Sequence, residues 1–421
     1  MRWQFLDYTH EHTTRRLLIR LTESVNYLLS HILRNRSWLF FCFSIGVVTA
    51  AFAAPRTPRD DAEVLERLAF RAGDVVARDI ARLRKDVAVA PKDHVPAAAL
   101  VWRYFDLAMA LGDPRYVGYA EAIVTRFGDP IPAELVLVRG LLRQYRHDFA
   151  GALADMGEAL RLDAELAQAH AWRGAIFLVQ AEYPAALAEC KQLQKLNSDV
   201  LAQCCLGLTN AYSGNMAGGY QRLQQALVTT KSAANRLWIL TRLGEVAAWQ
   251  AKPKEAEKHY RDALSSGIDD GYLLAAWSDF LLDNGRPEEV VSLLKTWETS
   301  DVLLLRLAEA QAKLAAVDAI RLRTLLGERF EAARQRGDTT HRAEEARYQL
   351  HLKGDAKAAV VLAAENYRVQ REPRDARILL EAALAAKDKA AGQPVLDWLQ
   401  RSGFEDARMR QLAQELVLVV R

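Results

Sequence analysis

The sequence predicts an all-α solenoid built by stacking helix-turn-helix units, and three observations predict it. Small residues come in pairs twelve positions apart, and the pairs recur: Gly140 and Ala152, Gly174 and Ala186, Gly207 and Gly219, Gly244 and Ala256, then Ser278 and Val290, at steps of 34, 33, 37 and 34. Pro184, Pro253 and Pro287 fall near one phase of that period, where a first helical turn tolerates a residue without N–H. The chain is 51% apolar and 26% charged, rich in Ala and Leu, with few Gly and Pro inside the apolar runs. That composition suits a folded chain and favours helix over strand.

Taken in chain order, residues 1–54 form an N-terminal extension ending in an uncharged stretch over 37–54, with Arg34 and Arg36 just before it. Ala51-Phe52-Ala53 fits the small-x-small pattern of signal cleavage, which predicts a secretory signal peptide cut near Ala53 and a periplasmic or exported mature chain. The stretch is also just long enough to span a bilayer, so an inner-membrane anchor with the body facing the periplasm is the second reading. Membrane contact is expected through this segment alone. Residues 55–132 read as an N-terminal cap, with a helix over 60–90, followed by a degenerate repeat marked by Trp102, Gly118 and Ala122. Residues 133–300 are the core array. Residues 301–421 read as degenerate C-terminal helical repeats, with 301–336 out of phase and further copies marked by Gly354 and Ala359 and by the run from 376 to 403.

The spacing has a simple physical reading. Small residues let helix A and helix B of one hairpin approach closely, while large residues such as Leu243, Tyr260 and Leu264 fill the seam to the next hairpin. These residues resemble the tetratricopeptide repeat family, in which a helical hairpin of about 34 residues carries small side chains at two slots, a large one four later and Ala three beyond that. Here that run reads Ala152, Met156, Ala159 and then Ala256, Tyr260, Ala263. The chain is identified as an exported bacterial member on this resemblance together with its N-terminus. The resemblance implies a right-handed superhelix whose A helices line a concave groove for a protein or peptide. Carried over slot by slot, the groove residues are Tyr145, Tyr212, Trp238, Glu245, Trp249, Tyr272, Asp279, Asp283 and Tyr348. Aromatic anchors with acidic punctuation would suit a basic partner.

Other classes find little support. Six of the 56 basic and three of the 53 acidic residues lie in 1–54, which leaves 50 of each in the body, without the basic excess that phosphate neutralisation needs; no nucleic-acid partner is expected. No P-loop, G-x-S-x-G, H-E-x-x-H or dinucleotide-binding glycine pattern occurs, and no histidine pair stands at a metal-ligand spacing on one helix. No catalytic residue, metal or cofactor is assigned. Cys190, Cys204 and Cys205 read as buried free thiols, with a bridge from Cys190 to Cys204 or Cys205 as the alternative in an oxidising compartment. The function these observations imply is a non-catalytic scaffold. The rival is an envelope polysaccharide export or assembly module that binds glycan or export machinery.

Overall fold

The computed structural model describes residues 75–128 and 130–418. The signal or anchor segment, the rest of 1–54 and the first part of the expected cap lie outside the described residues. Among those described are twenty α-helices and no strand. Helix α1 (Val75–Val89) precedes nine antiparallel pairs. The pairs are α2 (His94–Leu111) with α3 (Arg115–Val124), α4 (Ala133–Tyr145) with α5 (Phe149–Leu162), and α6 (Ala167–Val179) with α7 (Tyr183–Lys195). Next come α8 (Asp199–Tyr212) with α9 (Met216–Thr229), α10 (Ala233–Trp249) with α11 (Pro253–Leu264), and α12 (Gly271–Asp283) with α13 (Pro287–Leu294). The array continues with α14 (Asp301–Lys313) and α15 (Ala319–Gln335), α16 (Arg342–Tyr348) and α17 (Ala356–Val369), and α18 (Pro373–Ala386) and α19 (Lys389–Ser402). Helix α20 (Ala407–Leu418) closes the chain, and α16 runs on as a π-helical turn over Gln349–Lys353. This is a right-handed, tetratricopeptide-like α-solenoid. None of these helices is long and apolar enough to cross a membrane.

The small-residue pairs close the hairpins by contact. A Cβ placed on Gly207 would lie 3.2 Å from the Gly219 carbonyl oxygen, and one on Gly219 would lie 2.5 Å from the Gly207 carbonyl oxygen. A Cβ on Gly244 would meet the Tyr260 ring at 2.8 Å. Pro184, Pro253 and Pro287 each stand in the first turn of a B helix. Asp148, Asn215, Asp355 and Asp388 cap B helices by accepting a backbone N–H three residues on.

The turn from A to B repeats one conformation. Residues 112, 147, 181, 214, 251, 285, 315, 354 and 387 all have left-handed φ, and only four of them are glycine. At most of these turns the following N–H bonds the carbonyl five residues back, as Asp148 does to Arg143 and Lys252 to Ala247, which satisfies helix-end carbonyls.

Residues 301–336 form a hairpin like the others, put out of phase by its longer turn, Leu314 to Asp318, and its 17-residue B helix. One expectation is corrected. Cys190 and Cys205 are joined by a disulfide between α7 and α8, leaving Cys204 as a buried free thiol among the described residues. The two partners face each other across the seam between packed helices, a placement that sequence spacing does not reveal.

The superhelix winds tightly enough to meet itself. The end of α2 abuts the start of α12, where a Cβ on Gly271 would stand 3.1 Å from the Ala110 carbonyl oxygen. Beyond that, successive A-to-B turns receive the last repeat. The Arg371 N–H bonds the Val179 carbonyl at 2.7 Å, and the Trp398 indole N–H donates to the Tyr183 hydroxyl at 2.7 Å. Phe404 packs against Tyr212, Trp249 and Trp398 at centroid distances of 6.2, 5.3 and 5.2 Å. The C-terminal turn of the superhelix therefore lies across the ends of α4 to α12 and encloses a lumen.

Candidate binding chamber

The lumen holds a chamber of about 440 Å³ between the inner faces of α8, α10, α12 and α14 and the C-terminal helices α18 and α20. One wall is apolar and aromatic: Tyr212, Ala248, Trp249, Tyr260, Ala275 and Phe280. The polar lining is Arg306, Arg374, Arg377 and Arg408 together with Glu245, Asp279, Asp283, Glu372 and Asp406. A second cavity of about 480 Å³, lined by Glu309, Lys313, Arg347, His351 and Glu381, lies beyond. Asp283, Arg377 and Arg408 border both cavities.

Charge in the lumen is organised in linked groups. Asp283 accepts both Nη atoms of Arg377, at 2.6 and 2.7 Å, and one of Arg408 at 2.7 Å. Arg377 also donates through Nε to Glu381 at 2.9 Å, and His351 stands 3.4 Å from the other Glu381 oxygen. Burial alone would raise Glu381; the hydrogen bond to His351 and the Arg377 charge outweigh it and hold the carboxyl at about 2. Asp279 sits between Arg306 at 2.8 Å and Arg347 at 2.6 Å, and Arg347 reaches on to both oxygens of Glu309. Burial pushes Asp279 up, but the two guanidinium charges hold it well below the usual carboxylate range. Deeper in the wall, Arg242 donates to Glu245 at 2.7 Å and to the Tyr272 hydroxyl, which itself donates to Glu245 at 2.6 Å. The Tyr272 ring lies under two guanidiniums, Arg242 at 4.0 Å and Arg374 at 5.6 Å.

Of the residues singled out from sequence, Tyr212, Glu245, Trp249, Tyr272, Asp279 and Asp283 come together around this chamber. Three others lie elsewhere. Trp238 is 5% exposed and packs in the core with the Arg242 guanidinium 5.3 Å over its ring. Tyr348, also 5% exposed, turns away to pack on Phe330 at 5.4 Å and donates to the Arg323 carbonyl. Tyr145 ends α4, and burial pushes its hydroxyl up to about 12. The attraction expected between the acidic slots and a basic partner is met inside the chain: Glu245, Asp279 and Asp283 each already hold arginine.

Sequence reasoning missed the arginines. A strict step of 34 would have found part of the lining, since Glu245, Asp279, Lys313, Arg347 and Glu381 stand at that interval and the last four line the lumen beside Glu245. Another series, Trp238, Tyr272, Arg306, Thr340 and Arg374, runs in the same way. Among the described residues no group of His, Cys, Asp or Glu is arranged to hold a metal ion.

No protein-family model and no curated protein matches the sequence. Among solved structures, yeast Tom70 is similar at 12% identity, covering 82% of this chain and 84% of its own, with a TM-score of 0.44. The Rap conjugation gene regulator of plasmid pLS20, solved with the Phr* peptide, is similar at 13% identity over 76% of this chain and 97% of its own, with a TM-score of 0.42. Cut9, in the APC/C hetero-tetramer Cut9–Hcn1, is similar at 17% identity over 73% of this chain, with a TM-score of 0.39; the chain spans about half of it, 52%. At scores this low the likenesses carry no weight, and the architecture stands on the pairing of this chain's own helices.

Proposed function

We propose that this protein is a non-catalytic scaffold that holds a protein partner by a short peptide segment lodged in the lumen. The observation that carries this reading is the chamber itself. Its volume lies in the range of built ligand sites, roughly 300–1000 Å³, and it sets aromatic side chains beside arginines paired with carboxylates. Aromatic and arginine side chains in a shielded pocket are the residue types that anchor partners. The compartment we propose is the bacterial envelope, with the N-terminal segment acting as a cleaved signal or as an anchor. The Cys190–Cys205 bond supports that reading, because such bonds persist in oxidising compartments.

The test is crosslinking in cells followed by recovery of the protein. Wild type is compared with Trp249→Ala/Tyr272→Ala, once circular dichroism shows equal helix content. A discrete protein recovered with wild type and lost with the double variant is the expected result. Recovery of polysaccharide instead would shift the assignment to the glycan-binding module, and a partner indifferent to both substitutions would remove the chamber as its site.

A further inference from the structure

Tyr212, Trp249 and Asp283 are the last residues of α8, α10 and α12, three successive A helices. All three are slots that the repeat pattern assigns to a partner. Each is met by the chain's own connector from α19 to α20. The buried Phe404 ring lies 6.2 Å from Tyr212, 5.3 Å from Trp249 and 5.2 Å from Trp398 of its own hairpin. Four positions on, Arg408 donates to Asp283 at 2.7 Å. The backbone follows the same course: a Cβ on Gly214, in the turn after α8, would stand 2.7 Å from the Ser402 carbonyl oxygen. One short segment therefore crosses three repeats and fills their slots in turn.

The segment is held in the way a ligand is held. Gly403, at a φ of 65°, turns the chain out of α19, and Asp406 caps α20 by accepting the Met409 N–H at 2.9 Å, so residues 403–406 form a strap between two helix ends. Of α20 itself only Met409 and Leu416 are buried. Leu416 sits on Gly392 of α19, where a Cβ would stand 2.4 Å from its Cδ2, so α20 is carried by the last hairpin. Release of Arg408 strands no buried charge. Its side chain is 48% exposed, and Asp283 keeps both Nη atoms of Arg377. Ion pairs as exposed as this one add little to stability.

We infer that residues 403–408 are an internal stand-in for the partner's segment, which carries an aromatic residue with an arginine four positions on and takes its place by displacing this strap. This rests on the peptide-binding reading above and adds the chemistry of the peptide and the control of its access. Aromatic and arginine side chains are the types that most often anchor a partner. A tethered competitor acts at a high effective concentration, and a site open for only a fraction of the time binds its ligand more weakly by that fraction.

The test uses the full chain and a fluorescent nonapeptide copying residues 402–410, Ser-Gly-Phe-Glu-Asp-Ala-Arg-Met-Arg. Its anisotropy is titrated with wild type, Arg408→Gln and Phe404→Ala/Arg408→Gln, each checked for wild-type helix content. The double variant should bind the probe at least about tenfold more tightly than wild type, with Arg408→Gln between them. Adding Trp249→Ala should abolish binding, and a probe with its Phe and first Arg replaced by Ala should not bind. Arg408→Gln, at a half-exposed position, carries the comparison alone if the Phe404 substitution unfolds the chain. Equal, Trp249-dependent affinity in wild type and variants would overturn the strap and leave peptide binding standing. No probe binding to any variant would overturn the inferred chemistry. A partner still recovered from cells in a Trp249-dependent way would then keep the peptide reading, and its loss would remove both.

Discussion

The turn position that recurs once per repeat shows how much one residue can decide. Five of its nine occupants, His147, Ala181, Ala251, Ala315 and Lys387, adopt left-handed φ between 50° and 61° although they carry a Cβ. Such a residue is strained by roughly 1–2 kcal/mol, which glycine avoids at some cost in chain entropy. Ala251→Gly should therefore stabilise the fold by about 0.5–1 kcal/mol, read as a higher midpoint in guanidinium unfolding. A lower midpoint would mean that the Ala251 methyl, beside the chamber, contributes packing that the turn geometry conceals. These turns were legible only in part: Gly285 announces its turn, whereas Ala and His at the same slot give no local signal, because the strain is imposed by packing of the two helices on either side.

At the scale of the element, the hairpin spacing is what the sequence states most clearly. The pairs Gly207–Gly219 and Gly244–Ala256 mark close helix approach because no larger side chain fits there. Gly219→Ala would put a methyl 2.5 Å from one backbone oxygen and 2.8 Å from the Ala211 nitrogen, neither of which can rotate away. Overpacking of that kind should cost on the order of 2 kcal/mol, measurable as a fall in the unfolding midpoint at unchanged m-value. The seam between hairpins is less legible. Cys190 and Cys205 lie 15 residues apart on different helices, and only the packing of α7 on α8 brings them together. Closing a loop of that length stabilises by about 3 kcal/mol in the chain-entropy account. Cys190→Ala/Cys205→Ala should lose most of that and respond no further to reductant; a double variant as stable as wild type would show that the helices hold the seam without the bond.

At the scale of the whole molecule, the sequence implied an open groove and the structure has a lumen. The difference comes from interactions that period-based reasoning cannot see, since they join residues about 90 to 220 positions apart: Arg377 and Arg408 on Asp283, Trp398 on Tyr183, Gln370 on His147. Asp283→Asn should loosen the C-terminal turn, seen as faster amide exchange across α18 and α20 with the exchange of α6 unchanged. The Gln370 amide donates to a neutral His147, and burial pulls the pKa of that imidazole down to about 4 from an unfolded value near 6.5. The unfolded chain binds more protons between those values, so stability should fall as pH drops from about 6.5 toward 4. His147→Gln should flatten that part of the pH profile in unfolding measurements. The carboxylates that arginine holds low, Glu381 among them, add their own loss only at more acidic pH.

The central claim is that a partner's segment lodges inside this lumen. A photocrosslinking amino acid placed at Ala276, on the chamber wall, is compared in producing cells with one at Val361, exposed on α17. The account predicts a discrete protein adduct from position 276 that vanishes when Trp249→Ala is added, and no matching adduct from 361. An adduct formed from 361 alone, or one from 276 that persists without Trp249, would contradict it.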